Sequence, residues 1–329
     1  MNQSEFLQDL DAFLQEWHND EPTVWVHTSG STGTPKPMQV EKARMMASAR
    51  LTCSFLGLKE GDSALLCMPL QYIAGKMVVV RSLVADLKLI PIAPSGHPLK
   101  DLKEAPTFAA MIPMQVYNTL QMPEERAKLM EIKHLIIGGG AIEDALAGEL
   151  KNFPNHVWST YGMTETLSHI ALRRLNGEEA SNWYTPFNNV RIRLSDEGTL
   201  VIHAPNVCAD ELTTNDIAEI NEEGKFRILG RKDNTINSGG VKIQIEQVEA
   251  CLKKHLDVPF QITARPDVKF GEIVVLIYNK VKDEASVRQV CEEALPTYWI
   301  PKAYIAVEEL PMTGTGKPDR ATARRLASL

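Results

Sequence analysis

The sequence predicts an α/β protein: a largely parallel sheet flanked by helices, a small antiparallel β subdomain, and a separate small α+β domain at the C-terminal end. Three observations carry this. Short apolar runs alternate with helical patterns from residue 23 to about 160, the mark of a parallel sheet covered by helices. From about 185 to 230 the texture changes to short alternating strands, with hairpin signals at Asp196-Glu197-Gly198 and Asn221-Glu222-Glu223-Gly224. The last hundred or so residues mix both periods. Two domains follow, 1–231 and 232–329, a division that 329 residues accommodate with ample core.

The elements read in order. Phe6, Leu10, Phe13, Leu14 and Trp17 repeat at helical spacing, in place of the apolar centre of a signal peptide. The strands of the parallel sheet are expected at Thr23 to His27, Ala64 to Met68, Leu87 to Ile92, Thr107 to Ile112, His134 to Ile137 and His156 to Thr160, with a helix over Lys42 to Phe55. In the C-terminal part a helix is expected over Gln244 to His255, a strand over Glu272 to Tyr278, a helix near Glu284 to Leu295 and a strand around Tyr304 to Val307.

Composition excludes several classes. A net charge of −7 without a long basic run argues against nucleic-acid or anionic-membrane partners. No apolar stretch is long enough to cross a bilayer. Cys53, Cys67, Cys208, Cys251 and Cys291 lack C-x-x-C spacing and have mostly apolar neighbours, which reads as reduced thiols in a cytoplasmic protein. A small anionic substrate therefore needs charges of its own pocket.

Ligands of open α/β sheets sit beyond the carboxyl ends of the strands, where the unusual residues of this chain fall. Thr28-Ser29-Gly30-Ser31-Thr32-Gly33-Thr34-Pro35-Lys36 follows the first strand. Its backbone N–H groups, hydroxyls and ammonium suit a polyphosphate, although the same composition also describes a flexible linker. It lacks the Gly-Lys-Ser/Thr end of the NTPase loop, and Gly314-Thr315-Gly316-Lys317, followed by Pro318, fails the same test. Tyr161-Gly162-Met163-Thr164-Glu165 joins a ring for a purine, a hydroxyl for a phosphate and a carboxylate for Mg²⁺, directly or through water. Gly138-Gly139-Gly140 brings backbone against a flat base or makes a tight turn. Asp216 either chelates ribose hydroxyls or serves a turn.

In order, Thr28 to Lys36, Tyr161 to Glu165, Asp216, Gly230-Arg231-Lys232-Asp233 with Ser238-Gly239-Gly240, and Pro311 to Lys317 resemble the core motifs of the adenylate-forming superfamily: acyl- and aryl-CoA synthetases, adenylation domains and luciferases. The resemblance runs from about residue 23 to the C-terminus. It implies attack of a carboxylate on the α-phosphate of Mg·ATP, then displacement of AMP by a thiol, usually that of coenzyme A. It also implies phosphate binding by Thr28 to Lys36, adenine beside Tyr161, α-phosphate on Thr164, Mg²⁺ at Glu165, and ribose on Asp216 and Arg231. Lys317 falls at the mobile lysine, Asp233 at the hinge of a mobile lid over 232–329, and Gly239 and Gly240 on the face used with the thiol.

Tyr161 to Thr166 and the compact form resemble, within that superfamily, the o-succinylbenzoate–CoA ligases of menaquinone biosynthesis. Such an acid carries two carboxylates, and the one not activated needs a cation. Arg81, within the apolar Met77 to Val84, is the first candidate and Lys76 the second, each with the alternative of a side chain snorkelling to water. Tyr72, Ser168 and His169, with Ile112 to Gln115, are pocket walls by position. Pro37 stands where the family's loop has glycine, and Asn215 precedes Asp216 where glycine is common. The first motif lies so near the N-terminus that most of the family's N-terminal lobe is expected to be absent, which leaves thiol access and a homo-oligomer open. Other acid specificity, the charging of a carrier protein, and a nucleotide-binding regulator without turnover are the alternatives.

Overall fold

The computed structural model describes residues 1–27, 37–140, 142, 144–312 and 318–328, with only the backbone of residue 144. The chain divides into two compact units: Met1–Arg193 with Val201–Leu212 and Ile220–Arg227, and Leu194–Leu200 with Thr213–Glu219 and Ile228–Leu329.

The N-terminal helix α1 (Gln3–His18) starts with a capping box, Asn2 accepting from the Glu5 N–H and the Glu5 carboxylate accepting from the Asn2 N–H. It buries Phe6, Leu10 and Phe13. Strands β1 (Thr23–His27) and β2 (Pro37–Glu41) form a two-stranded antiparallel sheet of their own, in register from Thr23↔Glu41 to His27↔Pro37. This corrects the expectation that Thr23 to His27 belongs to the parallel sheet. Val24 and Val26 face inward while Trp25 is half exposed, the one-faced alternation of a hairpin strand.

The main sheet comprises β3 (Ser63–Leu66), β4 (Lys88–Pro91), β5 (Phe108–Met111), β6 (His134–Ile137), β7 (His156–Gly162), β8 (His169–Arg174) and β9 (Thr185–Pro186). Its order is β4-β3-β5-β6-β7-β8-β9. The first five of these run parallel and the last two antiparallel. Strands β5 and β6 are buried along their whole length, as expected of strands covered on both faces. The flanking helices are α2 (Lys42–Leu56), α3 (Ile73–Ala85), α4 (Pro113–Gln121), α5 (Pro123–Glu131) and α6 (Asp144–Leu150). Leu65, Met111, Val116, Leu129, Leu135, Leu150 and Val157 meet in one core beneath them.

Strands β10 (Arg191–Leu194), β11 (Thr199–His203), β12 (Leu212–Ile220) and β13 (Phe226–Arg231) form a four-stranded sheet in chain order, through which the division between the two units runs. Its turns fall where the hairpin signals lie, with Gly198 at φ 77° and Gly224 at φ 74°.

The second unit also holds a five-stranded sheet made of β14 (Thr235–Ser238), β15 (Val241–Gln244), β16 (Phe260–Asp267), β17 (Gly271–Asn279) and β18 (Ala303–Val307). Helices α7 (Ile245–Leu252) and α8 (Glu284–Ala294) share a core with Ile262, Leu276 and Tyr278, while Ala327 of α9 (Arg320–Ala327) packs with Ile273 and Val275. Helix α9 is fixed at its start by Arg320, whose guanidinium makes two bonds to Glu249, 2.6 and 2.7 Å.

At the amino-terminal edge of the main sheet, His134 lies in register with His156, ring centroids 5.2 Å apart. Both nitrogens of His134 are buried and without a hydrogen-bond partner among the described residues. Burial, followed by the charge of its neighbours, pushes His134 from 6.5 down to about 4. Because the unfolded chain takes up this proton more readily, stability is intact above pH 6.5 and falls as pH drops toward 4. The loss is on the order of 2–3 kcal/mol. Urea melts of His134→Phe across this range should lack that component; an unchanged acid slope would contradict the assignment.

Candidate active site

The carboxyl ends of the parallel strands gather four loops into one region. After β3, Tyr72 caps α3, and His27 at the end of β1 forms a parallel bridge with it. Gly75 lets α3 sit on this turn, since a Cβ there would lie 2.5 Å from the Pro69 carbonyl oxygen. After β5, the Gln115 amide donates to the carbonyls of Cys67 and Ser95, 3.1 and 3.0 Å, so Gln115 braces neighbouring loops. After β6, a Cβ on Gly138 would meet Thr160 Oγ1 at 2.4 Å, and Gly139 has φ 81°. Gly140 is exposed.

The fourth loop, between β7 and β8, is the most constrained. A Cβ on Gly162 would lie 2.2 Å from the Ser168 carbonyl oxygen and 2.4 Å from His169 Cα. The close approach this glycine permits is to the chain's own backbone. Thr164–Thr166 form a single 3₁₀ turn, and Thr166 Oγ1 accepts from the Met163 N–H at 3.1 Å and lies 2.8 Å from the Ser168 carbonyl oxygen. Leu167 is buried at φ 64°, a conformation uncommon for a residue with a branched side chain. Thr164 is buried, Glu165 exposed. Tyr161 stands edge-on to Phe226 at 5.0 Å and tilted to Tyr184 at 5.8 Å, so its ring is held by aromatic neighbours. Gly162→Ala should lose about 3 kcal/mol or more of stability, because backbone on both sides must move. A melting temperature within a degree of the parent would contradict this packing.

The two candidate cations on α3 part company. Lys76 donates to the Trp25 carbonyl oxygen at 2.6 Å, pairs with Glu16 at 3.3 Å, and lies over the Phe13 ring at 4.7 Å. It is a tie between α1, β1 and α3. Arg81, only 2% exposed, does not snorkel to water. Its Nη2 donates to Ser168 Oγ at 2.6 Å, its Nε is buried without a partner, and among the described residues no carboxylate pairs with it. Burial lowers its pKa to about 10, so it is charged at neutral pH. Ser168 Oγ also meets His169 Nδ1 at 3.2 Å, and His169 Nε2 meets Thr52 Oγ1 at 3.0 Å.

The second unit gathers another group. Arg231 makes two bonds to Asp233, 3.0 and 3.1 Å, and one to Asp216, 3.3 Å. The hydrogen bond to Asp233 raises the Arg231 pKa first, against the effect of burial. Gly239 and Gly240, at φ 59° and 83°, form the two-residue turn between β14 and β15. The Gly239 N–H donates to the Phe270 carbonyl at 2.8 Å.

Thr28, Ser29, Gly30, Ser31, Thr32, Gly33 and Lys36 of the phosphate loop, and Lys317, lie outside the described residues. Their flanks are described: His27 and Pro37 are in register, and Met312 bridges Pro318. Among the described residues no group of three or more His, Cys, Asp or Glu could hold a metal ion, and no helix is long and apolar enough to cross a membrane. One exposed carboxylate, Glu165, fits a Mg²⁺ held mainly by substrate phosphates. All five cysteines are free thiols. Thr52, Gly75 and Leu167 carry the site's geometry without having been singled out in the sequence. Of these, only Gly75, a glycine in the first turn of an apolar helix, left a readable signal.

Constrained loops stand at the carboxyl edge of a parallel sheet, with a bonded Asp216/Arg231/Asp233 group further along the chain. The model of the AMP-binding enzyme family matches residues 2–208, and the chain belongs to that family. It is 26% identical over 336 residues to the 2-succinylbenzoate--CoA ligase of Listeria monocytogenes, across 94% of this chain and 71% of that protein. An acyl-CoA synthetase (AMP-forming)/AMP-acid ligase II-like protein from Dyadobacter fermentans superposes with TM-score 0.67 at 33% identity, covering 96% of this chain and 93% of that one. The o-succinylbenzoate CoA synthetase of Bacillus subtilis, in complex with its acyl-adenylate intermediate, shares the fold with TM-score 0.75 at 24% identity, covering 91% of this chain and 68% of that one.

Proposed function

We propose that the chain is an ATP-dependent acid–CoA ligase whose acid is 2-succinylbenzoate, acting in menaquinone biosynthesis. The observation that carries the reading is Arg81, a buried guanidinium without a carboxylate partner among the described residues, bonded to the loop that bears Tyr161 to Glu165. A dicarboxylate supplies the missing anion with the carboxylate that does not react. The 2-succinylbenzoate--CoA ligases among the relatives support the same acid.

In the first step a carboxylate oxygen bonds to the α-phosphorus of ATP and pyrophosphate leaves. In the second the sulfur of coenzyme A bonds to the acyl carbon, AMP leaves, and the thiol proton passes to solvent. Thr28 to Lys36 hold the terminal phosphates and Lys317 bridges the developing charge between acid and α-phosphate. Tyr161 flanks adenine with Gly138, Gly139 and Gly140 on the neighbouring strand end, Thr164 meets the α-phosphate, and Asp216 with Arg231 holds the ribose. Glu165 would hold Mg²⁺, which would supply charge neutralisation of the phosphates. Asp233 is the hinge of residues 232–329, and Gly239 and Gly240 serve the thiol step. Tyr72, Ser168 and His169 complete the acid pocket, while Lys76 is assigned to structure. Cytoplasmic location fits these soluble substrates.

Incubation with ATP, Mg²⁺, 2-succinylbenzoate and coenzyme A should yield AMP and the acyl thioester in equal amounts by mass spectrometry. Exchange of labelled pyrophosphate into ATP without consumption of coenzyme A would point to a carrier protein as acceptor. Absence of both exchange and thioester would reject the proposal.

A further inference from the structure

The bond that Arg81 makes to Ser168 is the last of a chain of four that begins inside α2. Thr52 Oγ1 lies 3.3 Å from the Ser48 carbonyl oxygen, His169 Nε2 lies 3.0 Å from Thr52 Oγ1, Ser168 Oγ lies 3.2 Å from His169 Nδ1, and Arg81 Nη2 lies 2.6 Å from Ser168 Oγ. The two ends fix its direction, because a guanidinium only donates and a carbonyl only accepts. With Thr52 donating to Ser48, Thr52 Oγ1 accepts from His169 Nε2–H. The bare Nδ1 then accepts the Ser168 hydroxyl proton, and the Ser168 lone pairs are left for Arg81. No polar atom of the His169 ring remains unpaired.

Burial, and then the neighbouring Arg81 charge, hold the His169 imidazole neutral. Ser48, Thr52 and Arg81 are buried, His169 is 7% exposed, and Ser168, between His169 and Arg81, is the half-buried member. The relay thus runs from the interior through the β7–β8 loop to Arg81. The turn that carries it is over-determined: Gly162 admits the Ser168–His169 backbone, Leu167 holds φ 64°, and Phe187 packs edge-on to the His169 ring at 5.5 Å.

We infer that Thr52 and His169 are positioning residues that orient Ser168 and through it aim the Arg81 guanidinium at the second carboxylate of the acid, which makes them determinants of selectivity for a dicarboxylate. This rests on the reading of Arg81 given above. Thr52 touches no substrate; its hydroxyl acts through a relay that joins α2, the β7–β8 loop and α3. Without that hydroxyl, the buried Nε2–H loses its acceptor, the ring is free to take the other tautomer, and Nδ1–H then competes with Arg81 for the Ser168 lone pairs.

The test uses the full chain with 2-succinylbenzoate and its two monocarboxylate analogues, each lacking one carboxylate. Thr52→Val, close in shape, should raise KM for the dicarboxylate about five- to tenfold and leave KM for ATP within about twofold. Thr52→Ser, which keeps the hydroxyl, should return KM to within about twofold of the parent. The analogue without the Arg81-bound carboxylate should not respond to Thr52→Val, a selectivity that general loosening of the fold would not give. Nitrogen NMR at pH 7 should place the His169 proton on Nε2.

A dicarboxylate KM unmoved by Thr52→Val, or a proton on Nδ1, would overturn the inference. Arg81→Met separates the two levels: if it raises the dicarboxylate KM while Thr52→Val does not, the relay fails and the acid assignment stands. If Arg81→Met has no such effect, the acid assignment fails and the relay with it.

Discussion

Lys317→Ala is expected to lower adenylate formation by about 10²- to 10³-fold, the range seen when a single group that stabilises developing charge is removed. Thioester formation from preformed acyl-adenylate should stay within about twofold, because in that step the charge builds on a sulfur–carbonyl centre and AMP is already a stable anion. The expectation follows from the family's division of labour and from Gly314-Thr315-Gly316-Lys317, a lysine on a small-residue loop. Arg320, three residues on, is bonded to Glu249, so the helix after the loop is anchored independently of the lysine. Loss of fold is therefore not the expected result. Rapid-quench measurement of each half-reaction separates them, and equal losses in both would contradict the role given to Lys317.

Arg81→Met should raise KM for the dicarboxylate on the order of 100-fold, since truncating one member of a buried charge pair is worth about 2–5 kcal/mol. The same substitution should raise stability by roughly 1–2 kcal/mol, because a buried cation lacking a carboxylate is replaced by an apolar side chain of similar reach. Stability and binding move in opposite directions, which few structural substitutions achieve. Lys76→Met, on the same helix, should instead lower stability by about 1–2 kcal/mol, since Glu16 and the Trp25 carbonyl lose a buried donor. Urea melts beside steady-state kinetics distinguish the two positions. A loss of stability in Arg81→Met without a change in dicarboxylate KM would assign Arg81 to the fold alone.

The difference between those two lysine and arginine positions marks where sequence reading ends. Five residues apart on a helix, they point about 140° from each other, so one neighbour cannot serve both. Which of the two is tied to the fold depends on Glu16, sixty residues before Lys76, and nothing local signals that contact. Thr52 is hidden for the same reason, its partner His169 lying 117 residues on.

Elements with strong patterns were legible. Strands β3 to β7 are short apolar runs, and α1, α2, α7 and α8 have clear helical spacing. Hairpin glycines marked the turns of the four-stranded sheet. Strand β1 was read as a strand but assigned to the wrong sheet, because its partner β2 opens on Pro37 and alternates polar with apolar residues, a weak strand signal after a polar loop. Strand β16 and helix α9 were missed: the first ends in Ala264-Arg265-Pro266-Asp267, and the second is short, its eight residues rich in alanine and arginine. Gly162, within the Tyr161 to Glu165 motif, packs against Ser168 and His169 because of the β7–β8 bulge, which pairing register alone reveals.

The most direct test of the account is acid-dependent exchange of labelled pyrophosphate into ATP, measured without coenzyme A. Exchange should appear with 2-succinylbenzoate, require Mg²⁺, and fall with Arg81→Met at fixed low acid concentration. Exchange that is absent with 2-succinylbenzoate, or equally strong with its monocarboxylate analogues in both parent and Arg81→Met, would contradict a dicarboxylate-activating ligase built around that guanidinium.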